Sequence, residues 1–202
     1  MASSTPVLPK LPSTEAFLHL IYDYRYFSIA AYEWNKITSS GHVLQDKDAL
    51  VQDALLLHAR SLISFYLPSS RSSSTDIVYS DFGLRPLAAS RARKLGRYKP
   101  SIDVHLMHLT AYRDYAYRRR HISNPSVAER QRPNWNRHNA IIIKELLEVL
   151  RISAKSAGQW RPPLEELHAA CEARLQAQMS WPAQLGEASQ VRRYIRQLQI
   201  TP

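Results

Sequence analysis

Apolar residues return at three- and four-residue steps along most of this chain, the spacing of helices that bury one face. Phe17, Leu20, Ile21, Tyr24, Phe27, Ala31 and Trp34 form the first such stripe. Leu50, Val51, Ala54, Leu55, His58, Leu62 and Phe65 form a second. Ile102, His105, Leu106, Leu109, Tyr112 and Ala116 form a third, and Ile141, Ile142, Leu146, Val149, Leu150 and Ile152 a fourth. With 5 glycines in 202 residues, the chain has too few for an all-β protein built on tight turns. The fold class these features predict is all-α, an up-and-down helical bundle.

Local signals set the boundaries. Pro12, Ser13 and Thr14 offer a helix start, and Glu15 suits the positive end of the helix dipole. That first helix is expected to end near Ser39–Gly41, and a second to run from about Asp46 until Pro68 stops it. The stretch "PSSRSSSTD" reads as a polar loop, and "DIVYSDFG" as a turn that tucks Ile77, Val78 and Phe82 onto the core. A short basic helix precedes Gly96, and residues 121–137 read as a long basic loop. His138 to Lys155 forms another helix, which Gly158 stops. "RPPLEELHAACEARLQAQM" then starts afresh, with prolines placed for a first turn, and a last short helix carries Val191, Tyr194, Ile195 and Leu198. The expected organisation is a flexible arm over 1–12, a bundle over 13–158 and a C-terminal helical pair over 159–202.

Lysine and arginine number 27 against 17 acidic residues, a formal charge of +10, which favours a polyanionic partner such as nucleic acid. Arg118, Arg119, Arg120, Arg130, Arg132 and Arg137 are the candidate nucleic-acid contacts. Cys171 is the only cysteine, so no internal disulfide and no thiolate metal centre is possible. No secretory signal and no membrane-length apolar run is seen, and a cytoplasmic protein is expected. No glycine-rich phosphate loop, zinc-protease histidine pair or acidic two-metal cluster is present, so neither cofactor nor metal is expected.

The stretch "SIDVHLMHLTAYRDYAYRRRH" carries the candidate chemistry. Metal-free RNA cleavage needs a base for the 2′-hydroxyl, an acid for the leaving oxygen and a cation for the phosphorane charge. His105, His108, Tyr112 and Arg113 supply those residue types within two helical turns. The alternative is that His105 and His108 are core-edge residues in ordinary hydrogen bonds. His58 and Arg60 lie among apolar residues of the second helix, where Arg60 is expected to make an interhelical ion pair, with Asp81 as one possible partner.

The ordered blocks "LLHARSLISFY", "DIVYSDFG", "IDVHLMHLT" and a tryptophan ahead of a helix in "PNWNRHNAIIIKELLEVL" resemble a group of bacterial helical proteins similar to the HEPN superfamily. Such domains are common in toxin–antitoxin, CRISPR-associated and phage-defence systems, and they usually dimerise. The resemblance spans about residues 46–155 and implies a metal-independent ribonuclease acting as a homodimer, with RNA and an antitoxin or defence protein as partners. It places His108 at the catalytic histidine, with His105 and Tyr112 in support and Arg113 on the phosphate. Asp103 falls at the motif's polar position, but Ile102 holds the place of its arginine. Lys99, Arg97 or Arg113 would have to replace that arginine, or the activity is absent. A second Arg–His spacing of suitable length runs from Arg132 to His138. The other reading is a non-catalytic basic module that binds nucleic acid or a protein.

Overall fold

The computed structural model describes residues 13–39, 46–68, 76–107 and 135–176, all helix, turn or short connection with no strand among them. Among the described residues the α-helices are α1 (Ser13–Ser39), α2 (Asp46–Tyr66), α3 (Ala89–Gly96), α4 (Lys99–Met107), α5 (Trp135–Ser156) and α6 (Arg161–Leu175). The all-α class therefore stands. The arm over 1–12, the loop over 69–75, the chain from His108 to Asn134 and the last helix around Tyr194 lie outside the described residues.

Every residue of the first stripe is buried, from Phe17 to Trp34. This α1 face packs against α2 on one side and α6 on the other, while α5 touches α1, α2 and α6. The four long helices close around one core. α4 lies along α2, and α3 bridges α4 and α5. The 3₁₀ turn Tyr79–Phe82 drops Phe82 into that core against Phe17, Phe65 and Trp160. Asp81 accepts the Val78 N–H at 2.8 Å and shapes the turn, and the ion pair of Arg60 is made with Asp103. Gly83 ends the turn at φ 63°, a left-handed conformation that glycine adopts without steric cost.

Two expectations need correction. Leu50 and Ile152 belong to apolar stripes but stand exposed, because no helix among the described residues covers those ends of their faces. The helix expected from His138 begins a turn earlier, at Trp135, so residues 135–137 leave the basic loop and join α5. Two acidic residues, Glu145 and Asp48, are buried, and Glu145 holds both Lys94 and Arg91 from α3.

Helix α6 opens on a proline pair, Pro162 and Pro163, which needs no N–H donor in the first turn. Leu164, Leu167 and Cys171 are fully buried in the same core as α1. The Tyr24 hydroxyl lies 3.1 Å from that of Tyr66 and 3.3 Å from the Leu146 carbonyl oxygen, linking α1, α2 and α5. The Cys171 thiol from α6 points at the Tyr24 carbonyl, and burial pushes its pKa up to about 12.

Candidate nucleic-acid interface

Asp53 and Arg60 are seven residues apart on α2, two turns, and so share one side of the helix. That side faces α4. The Arg60 guanidinium pairs with Asp103, and Asp53 Oδ1 lies 2.9 Å from His105 Nε2. A carboxylate only accepts, so Nε2 carries the hydrogen and the other ring nitrogen of His105 is left for a second partner. Across the α1–α2 seam, His58 Nδ1 donates in the same way to Asp23 at 2.8 Å, with its ring against Tyr22 and Tyr26. An interhelical ion pair at Arg60 is thus present, made with Asp103.

His105 then opens a row of rings. Its imidazole is 5.1 Å from Trp135, Trp135 is 5.9 Å from His138, and His138 is 5.3 Å from Tyr98. The Arg97 guanidinium lies 4.8 Å from the Tyr98 ring centre and donates to its hydroxyl at 2.7 Å. The row joins the end of α4 to the first turn of α5, with the α3–α4 junction at its far side. Arg97 and Arg137 are exposed beside it.

His138 is the electrostatic centre of this row. Burial pushes its pKa below the ordinary imidazole value, and the nearby charges of Arg137 and Arg97 push it further the same way. Its Nδ1 is buried without a hydrogen-bond partner among the described residues. The neighbouring Asn139 is fully buried, and neither polar atom of its amide has a partner among them. A neutral imidazole can accept a proton, and half-buried rings with cations beside them can stack bases and meet phosphates, whereas Tyr98 is itself buried and backs the row.

The pKa direction has a testable consequence. The fold favours neutral His138, so the stability it contributes is complete above the ordinary value of 6.5 and is lost as pH falls from there through its lower folded value. Arg97→Ala removes one repelling charge and is expected to move the His138 titration upward toward 6.5, as followed by the ring-proton NMR shifts. An unmoved titration would show that burial and Arg137 set it without Arg97.

Of the residues singled out from sequence, the structure places His105 and Arg137 near this row. His108, Tyr112, Arg113, Arg118, Arg119, Arg120, Arg130 and Arg132 lie outside the described residues. Arg97 stands in the row, whereas Lys99, two residues further on at the start of α4, lines a cleft with α1 and α2. Sequence reasoning missed Asp53, Trp135 and Tyr98 as neighbours of the histidines. The seven-residue interval between Asp53 and Arg60 was the one local signal that two polar groups face the same helix. No protein-family model matches the chain, and comparison with curated proteins and with solved structures gives no match.

Proposed function

We propose that this chain is a nucleic-acid-directed protein of HEPN-like, up-and-down helical type, acting on RNA in the cytoplasm in a toxin or phage-defence setting. The observation that carries the reading is the row His105–Trp135–His138–Tyr98 with Arg97 and Arg137 beside it. Single-stranded RNA is held by just such a combination of stacking surfaces and cations. The charge of +10 agrees with it. So does the absence, among the described residues, of a helix long and apolar enough to cross a membrane.

On the catalytic form of this reading, His108 is the acid/base of a metal-independent ribonuclease, with His105 and Tyr112 in support and Arg113 on the phosphate. Arg60 supports it from an unexpected direction. The motif's arginine is missing at Ile102, yet Arg60 of α2 brings a guanidinium to the adjacent Asp103. A homodimer is part of the proposal, and the exposed Tyr22 and Tyr26 on α1 suit that contact. The second reading is a binding module without catalysis. It is favoured by the same departure, because Arg60 is occupied by Asp103.

One experiment separates the two. The protein is incubated with single-stranded RNA in chelator, and both retention and cleavage are followed. Binding that weakens steeply with salt is expected, because each neutralised phosphate releases counterions. Cleavage that His108→Ala lowers by about 10²-fold or more, in folded protein, supports the catalytic form. Salt-dependent binding with no cleavage leaves the module, and no binding at low salt rejects the proposal as a whole.

A further inference from the structure

From Phe82 to Ile102 the chain carries six cations and no carboxylate. Four of the six, Arg91, Arg93, Lys94 and Arg97, lie on α3 or at its C-terminal cap. Two of these are spent inside the bundle. Arg91 and Lys94 both meet the buried Glu145 of α5, and Arg91 lies 3.8 Å from Glu148 as well. Of the other two, Arg85 stands exposed ahead of the helix, and Lys99 lines a cleft whose carboxylates, Asp23 and Asp76, offset its charge.

Arg93 and Arg97 remain on α3. Both are exposed, and neither meets a carboxylate among the described residues. The Arg93 Nε bonds the Ala89 carbonyl of its own helix at 3.4 Å, and Arg97 gives one nitrogen to the Tyr98 hydroxyl. Helical backbone continues through Arg97, at φ −66° and ψ −22°, and its N–H bonds the Arg93 carbonyl at 3.3 Å. The two residues are therefore one turn apart on one face, about 6 Å along the axis. Exposed Ser90 stands one turn further back on that face. Arg97 also belongs to the ring row, so the row and the α3 face are continuous. Rings that stack bases, beside cations that follow the backbone, hold single strands without regard to sequence. One helical turn is also close to one phosphate step of an extended strand.

We propose that the exposed face of α3 carries the backbone of a single-stranded RNA away from the ring row, with Arg97 and Arg93 on successive phosphates and Ser90 next in line. The inference rests on the RNA-directed reading above and gives the strand a path: it leaves the rings toward the start of α3.

The test is fluorescence anisotropy of the full chain with a labelled oligouridylate of about 12 nucleotides, within the range of single-strand site sizes, at several salt concentrations. Arg93→Gln is expected to weaken binding roughly three- to tenfold at moderate salt and to make the slope of log affinity against log salt shallower by about 0.7, one phosphate contact. The Arg93 side chain bonds only its own helix, so the variant keeps its fold, which a thermal melt verifies. Arg93→Lys keeps the charge and should retain the slope, with affinity within about twofold of the original. Lys155→Gln removes the same charge from an exposed site on α5 roughly 30 Å along the helix from Trp135 and should change neither quantity. RNA bound equally by the original chain and Arg93→Gln overturns the path along α3 and leaves the ring row standing. Equal weakening by Lys155→Gln overturns it too, as general attraction to a basic protein. Arg93→Lys as weak as Arg93→Gln overturns the phosphate role. Polyglutamate that displaces the RNA at equal charge concentration would make the face an acidic-peptide site instead. No binding of RNA at low salt overturns both this path and the RNA-directed reading beneath it.

Discussion

A chain cut after Gly158 is expected to lose its cooperative unfolding transition. The cut removes Trp160, Leu164 and Leu167, each 2 % exposed or less. Burial of one such side chain contributes about 1.5–3 kcal/mol. Three of them approach the whole net stability of an ordinary domain, roughly 5–15 kcal/mol. The cut also uncovers Phe17, whose ring lies 4.8 Å from Trp160, and strips Cys171 from above Tyr24. Circular dichroism during heating checks the outcome. A cooperative melt within a few degrees of the full chain would show that α6 is an appendage and not part of the core.

The second large effect concerns the ring row. Arg97→Glu combined with Arg137→Glu changes the local charge by four and is expected to lower affinity for single-stranded RNA by about 10²-fold at moderate salt. The slope of log affinity against log salt should become shallower by roughly 1–2, since two phosphate contacts are lost. Trp135→Ala should act differently. Loss of a stacking surface costs about 1–3 kcal/mol of binding with little change in slope. Filter binding at several salt concentrations separates the two behaviours. Unchanged affinity in the folded charge-reversal variant would remove this surface from any account of RNA binding.

How much of this was legible in the sequence depended on the range of the interaction. The α1 stripe was readable because burial there follows a local period, and all seven of its residues lie in the core. Leu50 and Ile152 broke the pattern because periodicity gives the direction of a face but not how far the neighbouring helix extends along it. The acidic partners were not readable at all. Asp23 meets His58 across 35 positions, Arg60 meets Asp103 across 43 and Asp53 meets His105 across 52. No local rule relates such positions, so these acids looked like solvated surface. The ring row failed for the same reason: Tyr98, Trp135 and His138 come together only when the start of α5 is laid beside α4. The histidine pattern around His105 was visible, but its carboxylate support came from a different helix.

The lone thiol makes the protein its own gauge of opening. Cys171 is fully buried, and in the folded state its proton is held up to a pKa of about 12. A thiol reagent attacks the thiolate, so it reaches this residue only in molecules whose α6 has come away or whose core has opened. The ratio of the labelling rate to that of an exposed cysteine is then an equilibrium constant, read without dye, heat or denaturant, provided closing outpaces the reagent. Because no second cysteine exists in the chain, every labelled molecule reports the same event.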